Sequence, residues 1–402
     1  MFQNLLNPAS PYLTLTLNLA VAAFFLLRKN FRVSGLDGYV LGAVLATLLW
    51  LLLVVVVRGD AETQTLLKYF RISVAILLFS LIATSAGNCA RSIITGLNFS
   101  LGFHVALVFA QIAFPDLTYS TALLFGFERE PTILEEYTLR KLGASSSYDT
   151  ASLLSVAGLL FFYLQFVDGR GTKFACLAAL SFIATLFSSR TGMALSLLIV
   201  LGIMVTTIVR ASPAAKLAAT AVLLALSLAA YVLVLPLLLQ SLGYADLDPD
   251  QLSIVFSAAD YGTTGTLEAL TDDHLKPLDQ PLLDLFLGHA LDPNSIHRYT
   301  DIGYVKLIYH VGIPGTAVIL SVHFYMLFKA WQVANARGTE RSERLVARLL
   351  SQLLLVGLVF NYKSLELYSR GFGDILFMLF FFVAAWSITK RTAGQNAEGA
   401  TP

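Results

Sequence analysis

Nineteen consecutive residues, YVLGAVLATLLWLLLVVVV from Tyr39 to Val57, carry no charge. About 20 apolar residues is the length of a helix that crosses the hydrocarbon core of a bilayer, where the backbone has to satisfy its own hydrogen bonds. Such runs recur along the whole chain, and nothing else limits its fold so strongly. They predict eleven spans, at about 11–27, 38–57, 65–86, 92–114, 151–167, 173–189, 191–209, 216–239, 301–330, 345–362 and 371–389. The composition agrees: 56% of residues are hydrophobic and 13% charged, where a soluble domain carries about a quarter charged residues. The expected fold is therefore an all-α polytopic membrane protein with about 11 transmembrane helices, a single integral membrane domain over 1–402. The start, MFQNLLNPASPY, has neither a basic n-region nor a small-residue cleavage site, so no cleavable signal peptide is expected. Cys89 and Cys176 are too few and too badly placed for a disulfide framework and lack metal-ligand spacing.

Basic residues in loops set orientation. RKNFR, DGRGTK, RASPAAK, KAWQVANARGTERSERLVAR and the tail KRTAG fall on one side, with about fifteen basic and about five acidic residues. The other side holds about twelve basic and about twenty-one acidic residues. The first side is read as cytoplasmic, which puts the N-terminus outside and the C-terminus inside. Two long segments then face outward, 115–150 and 240–300, and loops of this length usually have a function. Within the second, Thr266 to Leu275 and Pro281 to Ala290 read as short amphipathic helices.

A charged group at the bilayer is costly unless it is paired or faces water. The ionisable groups that matter gather at the outer ends of spans. Arg190, in FSSRTGM, has almost no loop around it. The hydroxyls of Ser188, Ser189 and Thr191 lie beside it, and Thr191 is placed to open the next helix. Arginine, hydroxyls and free helix N–H groups make an anion site; the alternative is an interfacial arginine at the headgroups. Around the ninth span, Thr300 is an expected N-cap with Asp301 in the first turn. Asp301 and Tyr304 share one face, Lys306 and His310 another. His310 lies on the order of 13 Å below Asp301, either bonded to a neighbouring helix or lining a wet cavity. Pro314 in GIPG is expected to kink the helix. Arg370, like Arg190, immediately precedes a span. Outward-facing cations with carboxylates and histidines suit a phosphorylated, lipid-borne substrate. Nothing resembles a nucleotide-binding loop, a zinc site or a nucleophile triad.

Three patches carry a family likeness: SSRTGMALSLLIV at 188–200, LDLFLGHA at 283–290 and TDIGYVKLIYHVGIPG at 300–315. With their order along the chain, they resemble polysaccharide polymerases of the O-antigen polymerase family. That family is related to the O-antigen ligases and shares their GT-C-like membrane glycosyltransferase architecture. The resemblance implies an inner-membrane enzyme with long periplasmic segments. It would join undecaprenyl-diphosphate-linked oligosaccharide units on the periplasmic face into O-antigen, capsule or exopolysaccharide. It makes Arg190 a lipid-diphosphate contact and the segment from Asp301 to Tyr304 the wall of the reaction site. The ligase relatives carry a histidine where this chain has Asp301-Ile302-Gly303, with His297 and Arg298 just before. That difference favours polymerase and leaves the general base open between Asp301 and His297.

On this reading Arg190, Arg298 and Arg370 hold the departing diphosphate, with Lys306 as a further candidate contact. Tyr304 stacks on or bonds to a sugar ring. No metal and no cofactor are required, since protein cations supply the positive charge. The partners implied are lipid-diphosphate-linked glycans, the bilayer, and a chain-length regulator and flippase, with no nucleic acid. The alternatives are an O-antigen ligase acting on lipid A core and, in a different class, a lipid-linked oligosaccharide flippase.

Overall fold

The computed structural model describes residues 37–59, 63–85, 89–125, 141–145, 147–210, 274–291, 300–336, 338–362, 364, 365, 367 and 372–398. Among them all the regular structure is helix, with no strand. The helices are α1 (Gly38–Arg58), α2 (Thr63–Ser85), α3 (Ala90–Ala113), α4 (Asp116–Phe125), α5 (Tyr148–Val167), α6 (Lys173–Leu186), α7 (Arg190–Arg210), α8 (Leu282–Leu287), α9 (Gly303–Asn335), α10 (Arg341–Phe360) and α11 (Phe372–Glu398). A 3-10 turn at Lys276–Leu278 precedes α8.

Five of these, α1, α2, α3, α5 and α9, are long and apolar enough to cross a membrane. The chain is a membrane-type helical bundle. The expected spans at 11–27 and 216–239 lie outside the described residues. The expected span at 173–189 is a helix of 14 residues, Lys173–Leu186, shorter than the roughly 20 that a full crossing needs. It ends early because the segment before α5 meets it: Lys141 N donates to Phe187 O at 2.6 Å. The span expected at 345–362 begins four residues sooner, at Arg341. There Glu340 and Glu343 form a reciprocal capping box, which satisfies two N–H groups that a helix start leaves open.

Local chemistry sets the other ends in the same way. Asp37 accepts from Val40 N to start α1, and Gly59 in a left-handed conformation ends it. Ser147 accepts from Thr150 N to start α5. That helix is buried along nearly its whole length and packs against α3, α6, α7 and α10. Small residues permit the close crossings. Gly158 of α5 faces Ser181 of α6, and Gly192 of α7 faces Ser152 of α5, with no room for a Cβ at either glycine. Gln165 Nε2 donates to Asn98 Oδ1 at 2.7 Å, tying α5 to α3. On the other side, phenylalanines 360, 372, 377, 380 and 381 fill the α10–α11 core. Leu45, Leu49 and Val56 of α1 point outward, as suits a helix in lipid.

Successive spanning helices run in opposite directions, so the bundle has two ends. At one, Arg341 Nε pairs with Asp168 Oδ1 at 2.7 Å and Tyr325 donates to Asp37 at 2.9 Å. At the other lie Arg58, Lys68, Lys141, the start of α7, α8 and the start of α9. The Asp168–Arg341 pair joins two of the basic loops, the one before α6 and the one before α10, at the first of these ends. Cys89 and Cys176 are both free.

Candidate functional site

The Asp301 end is built on the start of α9. Thr300 Oγ1 accepts from Ile302 N at 3.2 Å, and Asp301 N donates to His274 Nδ1 at 2.8 Å. The helix proper opens at Gly303. Asp301 therefore stands in the approach to the helix, where the sequence had placed it in the first turn. The physical reason is that Thr300 closes a local turn before the helix, and Ile302 sits at the cap without a side-chain bond. Gly303 lies so close to α10 that an added Cβ would be 2.6 Å from Asn361 O and from Ser364 O. Tyr304 donates its hydroxyl to Leu358 O. Its oxygen is thus engaged with α10, and its ring is partly buried against the core.

Two turns further, α9 breaks. Pro314 has no N–H for the carbonyl four residues earlier, His310 O, and its ring crowds that carbonyl. Gly312 takes up the break with a φ of 69°. The freed carbonyls are each supplied with a donor from elsewhere. His289 N donates to Tyr309 O at 2.7 Å and Ala290 N to His310 O at 3.0 Å. Trp50 Nε1 donates to Val311 O at 2.8 Å. In an apolar setting each unsatisfied carbonyl costs several kcal/mol, so this three-donor patch is what makes the break tolerable. Gly288 (φ 77°) and Gly312 meet backbone to backbone, and a Cβ on Gly312 would overlap Phe286 O. The His289 ring stacks on Tyr309 with centroids 4.5 Å apart. Arg58 Nη2 pairs with Asp284 Oδ1 at 2.6 Å and fixes α8 to the end of α1. Within the expected amphipathic helix at 281–290 only Leu282–Leu287 is helical, with none of its residues buried, and the last three residues leave the helix to serve α9. Most of the other one, 266–275, lies outside the described residues.

Two residues before the break sits His310, buried. Its Nδ1 is 3.4 Å from the hydroxyl of Tyr69 on α2, so it meets a neighbouring helix. Lys306, one turn above it, is half-buried.

A second polar group surrounds the start of α7. Arg190 opens that helix, one residue sooner than the sequence suggested, because Ser189 Oγ accepts from Gly192 N at 3.2 Å and caps it. Ser188 turns back to Ala184 O at 2.9 Å. Lys141 arrives here through its backbone bond to Phe187 O, and is only 2% exposed. Burial pushes its ammonium down to about 8. The segment that carries it is clasped by α3: Ala144 N donates to His104 Nδ1 at 3.1 Å and Gly143 N to Gln111 Oε1 at 2.9 Å. Sequence reasoning missed Lys141, His104 and Gln111. The signal was present for the last two, since they lie seven apart and share one face of an otherwise apolar helix.

The buried lysine gives a pH test. Below about pH 8 Lys141 is charged in both states, and burial of the charge opposes folding. Between there and the ordinary lysine value of 10.5 the unfolded chain binds more protons, so stability rises with pH. In detergent, Tm of the wild type is expected to climb from pH 8 to 10 relative to Lys141→Met, which lacks that rise. Parallel curves would show that the ammonium is solvated.

Of the sequence-predicted site residues, Tyr304 and Lys306 lie on the first turn of α9 and Asp301 on the approach to it. Arg190 opens α7, on a different part of the same end; α7 and α9 both neighbour α10. His297, Arg298 and Arg370 lie outside the described residues. Among the described residues no three His, Cys, Asp or Glu side chains gather as a metal site would require. No family model, no curated protein and no solved structure matches the chain.

Proposed function

We propose that the chain is a bacterial inner-membrane glycosyltransferase that polymerises oligosaccharide units carried on undecaprenyl diphosphate. The observation that carries this reading is Lys141. A lysine held almost wholly out of water is bonded through its backbone to Phe187, three residues before Arg190, which brings a second basic residue to a helix start flanked by hydroxyls. That is a setting for a phosphate-type anion at the membrane surface. The Asp301 end is the periplasmic face on this reading, since the opposite end holds the arginine-rich loops. The resemblance of the three sequence patches to O-antigen polymerases supports the same reaction.

In the reaction an acceptor sugar hydroxyl attacks the anomeric carbon of the donor glycan. A new C–O bond forms there, and the C–O bond to the diphosphate breaks. The diphosphate leaves with the electron pair, held by Arg190 and Lys141, with Arg298 and Arg370 as further candidate contacts. The hydroxyl proton passes to the Asp301 carboxylate or to His297. Charge stabilisation on the leaving group is the main contribution of the cations.

The test is purified full-length protein in lipid, given native undecaprenyl-diphosphate-linked repeat units and no other enzyme. A ladder of longer glycans on a gel is expected, unchanged by EDTA. Transfer to added lipid A core with no ladder would make the protein a ligase. Passage of intact lipid-linked units across a vesicle membrane, with no new glycosidic bond, would make it a flippase.

A further inference from the structure

The second ionisable cluster of this end lies away from the Arg190 turn, between α2 and α9. Tyr69 and His310 meet edge to face with ring centroids 6.1 Å apart. Both are buried, at 2% and 3% exposure. A phenol that donates to Nδ1 leaves the imidazole hydrogen on Nε2. That Nε2 is buried and has no hydrogen-bond partner among the described residues. A buried N–H donor without an acceptor is costly and calls for an explanation. Lys68 and Lys306 lie close enough to the ring for their charges to act on it. Both are half-buried, at the same end of the bundle. Arg71, one turn along α2, is buried as well. With Tyr69 as the donor to Nδ1, the partnerless Nε2 carries an N–H within reach of two lysine charges, a setting for an oxygen anion. Ordinary interface anchoring explains the lysines alone, but it leaves the histidine donor unexplained.

The polymerisation reading on which this inference rests supplies a reason for two anion sites. Donor and acceptor each carry a diphosphate. The acceptor attacks through the sugar farthest from its own lipid, so one repeat unit separates the two diphosphates. A single anion site cannot hold both. The Arg190 turn and the His310 cluster lie on different helices, α7 and α9, with α10 beside both. We propose that Lys68, Lys306 and His310 form a second lipid-diphosphate site, which holds the acceptor while the Arg190 turn holds the donor. Tyr69 is a positioning residue that sets the tautomer of His310.

The experiment measures binding stoichiometry. Full-length protein is placed in phosphatidylcholine nanodiscs and titrated with undecaprenyl diphosphate, and bound lipid is counted by native mass spectrometry. Two equivalents per chain are expected. Lys68→Gln and His310→Gln should each weaken one of them tenfold or more and leave the other unchanged. Arg190→Ala should remove the complementary one. Size-exclusion profiles matching the wild type establish that each variant is folded, and the two independent substitutions guard against loss of either. Excess phosphatidylglycerol should displace neither equivalent; displacement of the second would make it a general headgroup site and overturn the proposal. A single equivalent that responds to Arg190→Ala alone would overturn the acceptor site and leave the polymerase reading standing. No binding at all would overturn both.

Discussion

Gly312→Ala is expected to yield almost no folded protein, whereas Gly338→Ala should be recovered nearly as well as the wild type. Both glycines have a left-handed φ, 69° and 82°. An alanine in that region costs on the order of 1–2 kcal/mol, and at Gly338 that is the whole effect, because nothing lies within 4 Å of its Cβ position. At Gly312 the Cβ would overlap Phe286 O. Backbone cannot step aside as a flexible side chain can. To make room, α8 and Gly288 have to withdraw, and the His289 and Ala290 donors go with them. Tyr309 O and His310 O are then unpaired in an apolar environment. Strain and two lost backbone bonds together put the cost above about 4 kcal/mol, in the exceptional range for a point substitution. Gly288→Ala should fail in the same way from the opposite side. Recovery of monodisperse protein after detergent extraction, with Tm, checks this. A Gly312→Ala protein with near-normal Tm would mean that the loop does not dock on the break.

The second large effect is on activity. With Arg190→Ala, polymer is expected to fall by at least about 100-fold, the scale of removing a charge-stabilising group from a transition state. Protein level should stay normal, and single lipid-linked units should accumulate. Arg190→Lys should restore only part of the loss, since an ammonium lacks the planar fork that grips two phosphate oxygens. Measurement of polymer length and of accumulated lipid-linked units in cells carrying each variant decides the matter. Polymer of normal length and amount from Arg190→Ala would remove that residue from the diphosphate site.

Hydropathy made the long helices legible because lipid imposes a minimum apolar length that few other structures share. Gly38–Arg58 and Tyr148–Val167 fall within a few residues of the expected spans for that reason. It served less well where length was not the controlling quantity. Lys173–Leu186 stops short where Lys141 N takes the carbonyl of Phe187, from a segment remote in sequence. The break in α9 was half legible. Pro314 announces a missing N–H, but which residues replace it depends on Gly288 meeting Gly312, a tertiary contact with no local signature. The candidate site divides similarly. The pairing of Asp301 with Tyr304 and of Lys306 with His310 could be read from helical spacing. The engagement of the Tyr304 hydroxyl with Leu358 O could not, nor could the burial of Lys141, since its sequence neighbours read as an ordinary polar loop.

The repaired break in α9 also bears on the order in which the chain can enter the bilayer. All three donors to the exposed carbonyls precede them in sequence: Trp50 on α1, then His289 and Ala290 only about twenty residues upstream. When Tyr309, His310 and Val311 emerge, their partners have already been synthesised. The discontinuous helix therefore never has to wait in lipid for a later segment, and a permuted chain that moved 282–290 behind α9 would lose that advantage even if its finished fold were the same.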